Sequence, residues 1–207
     1  MLAFLCKSLR SGAARARAIG RGGRSALPNA KASGNHGRLS SRFGRDNKAA
    51  AAVEFALIAA PLVLMMCACV ELGMVFLVQV TLDNAVQAAS RGIRTGTTTS
   101  SNTSQSQFQT LICNDMGWLA GSCPTSLTLD VETYSTFGGI PLTSPVSGGV
   151  LVTKNFGYYV GTGSQIQVVS AYYTWPLFTP LLNPGLATLG GGNALLTSKA
   201  IFRNEPF

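Results

Sequence analysis

Histidine is almost missing from this 207-residue chain: His36 is the only one. That excludes a Ser/His/Asp triad built from more than one candidate base, and it excludes every Cys/His cluster of metal-ligand spacing. No Gly-x-x-x-x-Gly-Lys run exists to cradle a phosphate. Gly138-Gly139 and Gly190 to Gly192 read as turns. No apolar stretch near the N-terminus is long enough for a secretory signal core. Charge is also scarce after the first quarter. Eleven of the sixteen Lys and Arg precede Ala49, with Asp46 the only acid there, and from Ala50 onward five bases face seven acids. The formal charge of +8 therefore belongs to a leader and not to a folded basic surface, which argues against a nucleic-acid partner.

What the chain does hold is one long apolar stretch, Ala49 to Val80, interrupted only by Glu54, Glu71 and Gln79. About 20 mostly apolar residues suffice to span a bilayer as a helix. A basic flank directly before such a span is the mark of the cytoplasmic side, so membrane lipid is an expected partner. The spacing predicts four regions: a basic, disordered leader over 1–49, a transmembrane helix over 50–80, an amphipathic extension over 81–95 and an exported head over 96–207. Pro61 falls inside the helix, where it removes one backbone hydrogen bond. Beyond Val80 the apolar residues Leu82, Ala85, Val86, Ala89 and Ile93 join Val78 on one face at the helical period. Arg91 and Arg94 favour the helix C-terminus, with Gly92 and Gly96 as stop signals. One helix from Ala50 to Thr95 would be about 68 Å long.

The segment 95–106 reads as a polar linker, and 108–118 as a short helix. Leu127 to Tyr134 alternates strictly and predicts a strand; Gln165 to Trp175 and Ala194 to Arg203 predict two more, with a short one near Val150 to Lys154. The fold class is α+β: a long N-terminal helix followed by a small antiparallel-sheet domain. Its strand order is not legible. Cys6 lies in the leader, and Cys67 and Cys69 lie in the helix. Cys113 and Cys123 are ten residues apart in the head, either closing a short loop as a disulfide in an oxidising compartment or remaining two reduced, buried thiols. Asp130 and Glu132 share one face of the first strand, where two carboxylates are ordinarily solvated.

Two acids inside an apolar helix call for a placement, because an unpaired carboxylate in hydrocarbon costs several kcal/mol. Glu54 is close enough to the basic flank to reach the interface, and Glu71 lies about 25 Å further along the axis, at the far interface or against a partner. Here the residues resemble something known. Ala50 to Leu57 (AAAVEFAL), after a basic leader, looks like a class III prepilin signal. The segments Ala52 to Pro61 (AVEFALIAAP) and Val70 to Gly73 (VELG) resemble the TadE-like family of tight-adherence pilus assembly proteins. So do 172–182 and the C-terminal Arg203, Asn204, Glu205 and Pro206. The resemblance implies cleavage between Ala49 and Ala50 by a prepilin peptidase, and a structural role beside other pilins and pilus assembly membrane proteins. It implies a role in filament register and helix pairing for Glu54, Phe55 and Glu71, Glu54 pairing with the freed amine of Ala50 in a neighbour. It implies no cofactor and no enzymatic activity, and a bacterial inner-membrane location with the N-terminus cytoplasmic and the head periplasmic. The chain departs from the family in two ways: Ala49 stands where glycine is common, and the leader is long. Two alternatives remain: an uncleaved single-pass assembly factor of the same machinery, and an organellar inner-membrane subunit with a transit peptide.

Overall fold

The structure is a computed structural model that describes residues 47–207 apart from 142, 180 and 181, with side chains from Ala51 onward. The leader over 1–46, with Cys6 and His36, lies outside the described residues, as do the side chains of Ala49 and Ala50. Helix α1 (Asn47–Arg94) is unbroken through Pro61. The chain forms two compact units, the first ending at Cys69 and the second running from Val70 to Phe207. In the first, Phe55, Leu57, Ile58, Leu62 and Met65 of α1 are all exposed.

In the second unit the helical period does what an amphipathic face requires. Val78, Leu82, Ala85, Val86, Ala89 and Ile93 are buried, the same six positions that the spacing singles out. Three helical pieces follow: α2 (Gln105–Asp115), a 3-10 turn (Gly117–Leu119) and the short α3 (Cys123–Ser126). Ser104 opens α2 with a capping box. Its hydroxyl accepts the Gln107 N–H, and Gln107 Oε1 accepts the Ser104 N–H at 2.8 Å, satisfying two helix-end donors at once. A disulfide joins Cys113 of α2 to Cys123 at the start of α3.

Strand β1 (Leu127–Tyr134) leads to a hairpin of two short strands, β2 (Val146–Ser147) and β3 (Val150–Leu151). Then β4 (Ile166–Pro176) and β5 (Asn193–Arg203) follow, with the short helix α4 (Asn183–Leu186) between them. The sheet order is β1-β4-β5, antiparallel throughout. Central β4 is buried along nearly all of its length, because both faces of the sheet are covered. One face carries Leu129, Val131, Val169, Ala171, Tyr173, Leu196 and Ala200 into the core with α1 and Phe108 and Ile112 of α2. On the other, Phe156 stacks on Tyr172 at 5.2 Å.

The segment read as a linker is tied down. The Thr98 N–H and Thr97 Oγ1 both donate to Gly92 O, at 2.9 and 3.0 Å, and Asn102 Nδ2 donates to Thr97 O. Gly96 adopts φ +75° just past the helix end, the left-handed cap that favours glycine; the Phe207 ring lies over it, where a Cβ would stand 2.5 Å from the ring.

Candidate functional site

The two acids of α1 are placed in opposite circumstances. Glu54 is exposed, as is Phe55 at 74%, and among the described residues Glu54 has no hydrogen-bond or ion-pair partner. Glu71 is 2% exposed. Its carboxylate accepts the backbone N–H of Phe178 through Oε1 and that of Thr179 through Oε2, the latter at 2.8 Å. Charge-assisted bonds of this kind are roughly twice as strong as neutral ones. Sequence reasoning assigns Glu71 to an interface or a neighbouring helix; in the structure its own chain occupies both oxygens. No sequence signal marks the donors, because backbone N–H groups belong to every residue.

The C-terminal motif closes the far end of the same unit. Asn204 is buried; its side chain donates to Gly161 O at 3.1 Å and Thr162 O at 3.0 Å, and its backbone N–H donates to Gln165 O at 2.8 Å. The Glu205 N–H donates to Arg94 O at 2.9 Å, satisfying a terminal carbonyl of α1. Arg94 Nε and Glu205 Oε1 are 3.4 Å apart with both side chains more than half exposed, so the ion pair itself contributes little. Arg203 donates from Nε to Ser164 O at 2.8 Å. These residues serve as a clasp on the helix end.

On the covered outer face of the sheet, Asp130 and Glu132 are partly shielded instead of solvated. With Lys199, Tyr172 and Phe156 they line a cavity of about 340 Å³. Asp130 Oδ1 accepts the Gly157 N–H at 3.0 Å, and the Tyr134 hydroxyl donates to Glu132 Oε2 at 2.6 Å. Desolvation holds the Asp130 carboxyl above its ordinary value of 3.8, with the Glu132 charge adding to it and the Gly157 bond and Lys199 opposing. Desolvation first, and then the bond to Glu132, raise the Tyr134 hydroxyl. An acid whose folded pKa is raised contributes stability below its unfolded pKa and loses it as pH rises through the folded value. Asp130→Asn is therefore expected to be more stable than the native chain at pH 7, the difference closing as pH falls toward 3.8; paired thermal melts across that range check it. Among the described residues no group of His, Cys, Asp and Glu is arranged to hold a metal ion.

Gln167 is a residue that sequence reasoning passes over. Fully buried, it donates from Nε2 to Glu132 O and Tyr159 O and accepts the Gly161 N–H through Oε1, all within 2.9 Å. It ties the 157–161 segment to the open side of β1.

One helix among the described residues is long and apolar enough to cross a membrane, and it continues into a small α+β domain without a catalytic constellation. Residues 49–91 match the family model described as TadE-like protein, so the resemblance read from Ala52 to Pro61 and Val70 to Gly73 holds over α1. Neither the curated proteins nor the solved structures include a match. The match, which lies within α1 alone, points to a part in tight-adherence pilus assembly; the TadE-like family is a structural one of pilus assembly complexes.

Proposed function

We propose that the chain is a minor pilin or pseudopilin of this pilus type, anchored in the bacterial inner membrane with its head on the periplasmic side. The observation that carries the reading is Glu54. It is an exposed carboxylate with no partner among the described residues, set in an apolar, exposed helical surface within the matched span. An unpaired acid in such surroundings is costly, and a neighbouring cation relieves that cost. Cleavage between Ala49 and Ala50 by a prepilin peptidase makes Glu54 the fifth residue of the mature chain and frees the Ala50 amine. In a bundle of such helices the Glu54 of one subunit meets the Ala50 amine of the next, an arrangement that favours one register over its neighbours. Phe55, exposed beside it, packs in the same bundle. The residues before the cut, 1–49, are the leader, and 50–80 is the span.

Glu54→Ala is expected to leave cleavage intact and to abolish incorporation into sheared surface filaments, read by the N-terminus and intact mass of the protein from membranes and from filaments. Normal incorporation of that variant refutes the register role. A second reading, an uncleaved assembly factor, is favoured by Ala49, which stands at a position where glycine is usual. A native chain that still begins at Met1 and never leaves the membrane fraction decides for it.

A further inference from the structure

The Val70–Phe207 unit has two chemically different ends. Glu71 of α1 meets residues 178 and 179, just past β4. Further along the helix, Gln79 Nε2 donates to Thr197 O of β5 at 3.1 Å. At the helix end, Arg94 meets Glu205, just past β5. Strand β4 therefore runs back along α1 toward Glu71. The connections at the Glu71 end are Gly117 to Ser126, which leads into β1 opposite Tyr173, and Pro176 to Asn193, which joins β4 to β5. Neither connection contains an Asp, Glu, Lys or Arg, and none occurs anywhere between Asn155 and Ser198. Arg94, Arg203 and Glu205 lie at the opposite end.

This end, whose acids are the buried Glu71 and the exposed Asp115 two residues before Gly117, presents aromatic rings. Trp118 is 54% exposed and Phe178 51%. Trp118 meets Trp175 edge-on at 6.4 Å, and Trp175 meets Phe178 edge-on at 6.0 Å. The three rings form a strip that ends beside Glu71. Leu72 and Phe76 of α1, one and five residues past Glu71, are exposed as well. The level of Glu71 coincides with a boundary. Between Lys48 and Glu71 the only charged residue is Glu54, and Ala49 to Val70 as helix is about 33 Å long, against a hydrocarbon layer of about 30 Å. A span that begins at Lys48 ends at Glu71.

The geometry points to a lipid contact: this end of the unit rests in the headgroup layer of the bilayer that α1 crosses, with Phe178 and Trp118 as interfacial anchors. The occupant is phospholipid. The strip begins at the depth where the span ends, tryptophan is enriched at that depth because one edge of its ring is polar, and the two connections offer no charge of either sign for an ion pair with a protein. Glu71, its carboxylate held by two N–H groups, brings no free charge to the boundary. The contact rests on the reading of α1 as the span, ending at Glu71, the first charge after Glu54, and not running on to Val80.

The chain has only two tryptophans, so Trp175→Phe leaves Trp118 as the single reporter. The full chain is reconstituted in phosphatidylcholine vesicles, with or without bromine on the upper acyl chain. Trp118 emission is expected to fall about twofold with the bromolipid, as an interfacial ring requires, and to resist aqueous acrylamide. If Trp175→Phe fails to fold, the difference between the native chain and Trp118→Phe supplies the same reading. Free quenching by acrylamide with none by bromolipid, in protein that resists alkaline extraction, overturns the contact while the span stands. Shielding from both quenchers also overturns it, and means that a second copy covers the strip. Release by alkaline extraction means that the span reading itself has failed, and the contact falls with it.

Discussion

Glu71→Ala is expected to destabilise the Val70–Phe207 unit by about 2–4 kcal/mol, since each buried donor left without an acceptor costs about 1–3 kcal/mol. Two donors are orphaned at once, the backbone N–H groups of Phe178 and Thr179, and both lie where water reaches poorly: Glu71 and Thr179 are buried. For a unit of this size the loss corresponds to a fall in Tm of about 10 °C. Glu71→Gln tests the chemistry separately from the volume. Its amide keeps one acceptor oxygen but turns an NH2 toward the second donor, so its melting point should lie between the two. Thermal unfolding in detergent micelles, followed by circular dichroism, gives the numbers. Limited proteolysis should show earlier cutting in the Pro176 to Asn193 connection, because Glu71 is what holds the start of that connection to the helix. An alanine variant with a native melting point and a native cleavage pattern would rule out the anchoring role.

The parts of this fold that obey a short period were legible, and those that depend on distant partners were not. Strand β1 has the expected limits, Leu127 to Tyr134, and alternates as far as Glu132, and β4 and β5 differ from their expected limits by one residue at most. The buried face of α1 follows from a 3.6-residue repeat that any amphipathic helix must show. Glu71 is different. Its partners lie 107 and 108 residues away and are backbone groups, which leave no trace in side-chain chemistry. The C-terminal Arg203 to Pro206 was recognisable as a resemblance, with Arg203 and Glu205 legible as structural residues of the head but without their partners. Its physical content, Asn204 bonding to Gly161 and Thr162 and Glu205 capping α1, needs the chain to have folded back. The polar run over 95–106 was misleading in a simpler way. Threonine and asparagine suggest a linker by composition, yet their short side chains also bond the backbone, and here they fasten the run to Gly92. The capping pair Ser104 and Gln107 was a local signal for the start of α2 and was readable in principle. Asp130 and Glu132 alternate correctly onto the outer face; what they lack in the sequence is any sign that Ile140, Pro141, Val152 and Phe156 lie over them.

Removing the Cys113–Cys123 bridge should have an effect of the same order as removing Glu71. The bridge spans ten residues, and closing a loop of that length removes denatured-state entropy worth about 3 kcal/mol at 25 °C. Both sulfurs are buried in the core cluster, so the double variant Cys113→Ala, Cys123→Ala leaves no polar group stranded and isolates the cross-link itself. Its melting point should fall by about 10 °C and should not respond to dithiothreitol, whereas the native chain with dithiothreitol should fall to nearly the same value. The local consequence follows from what the bridge restrains. It holds the ends of the segment carrying Trp118, whose other ties to the sheet are the edge-on contact of Trp118 with Trp175, the buried Leu119 and the 3.2 Å contact between Ser122 Oγ and the Tyr173 hydroxyl. An edge-on ring pair and one hydrogen bond, each of about 1 kcal/mol, are weaker than the cross-link, so Trp118 should loosen before the sheet unfolds. With Trp118 made the single reporter by Trp175→Phe in both proteins, its emission should then shift at a lower temperature than the far-ultraviolet signal in the cysteine double variant, and together with it when the bridge is present. Coincident transitions in both proteins would show that the bridge stabilises the unit as a whole and does not hold this corner in particular.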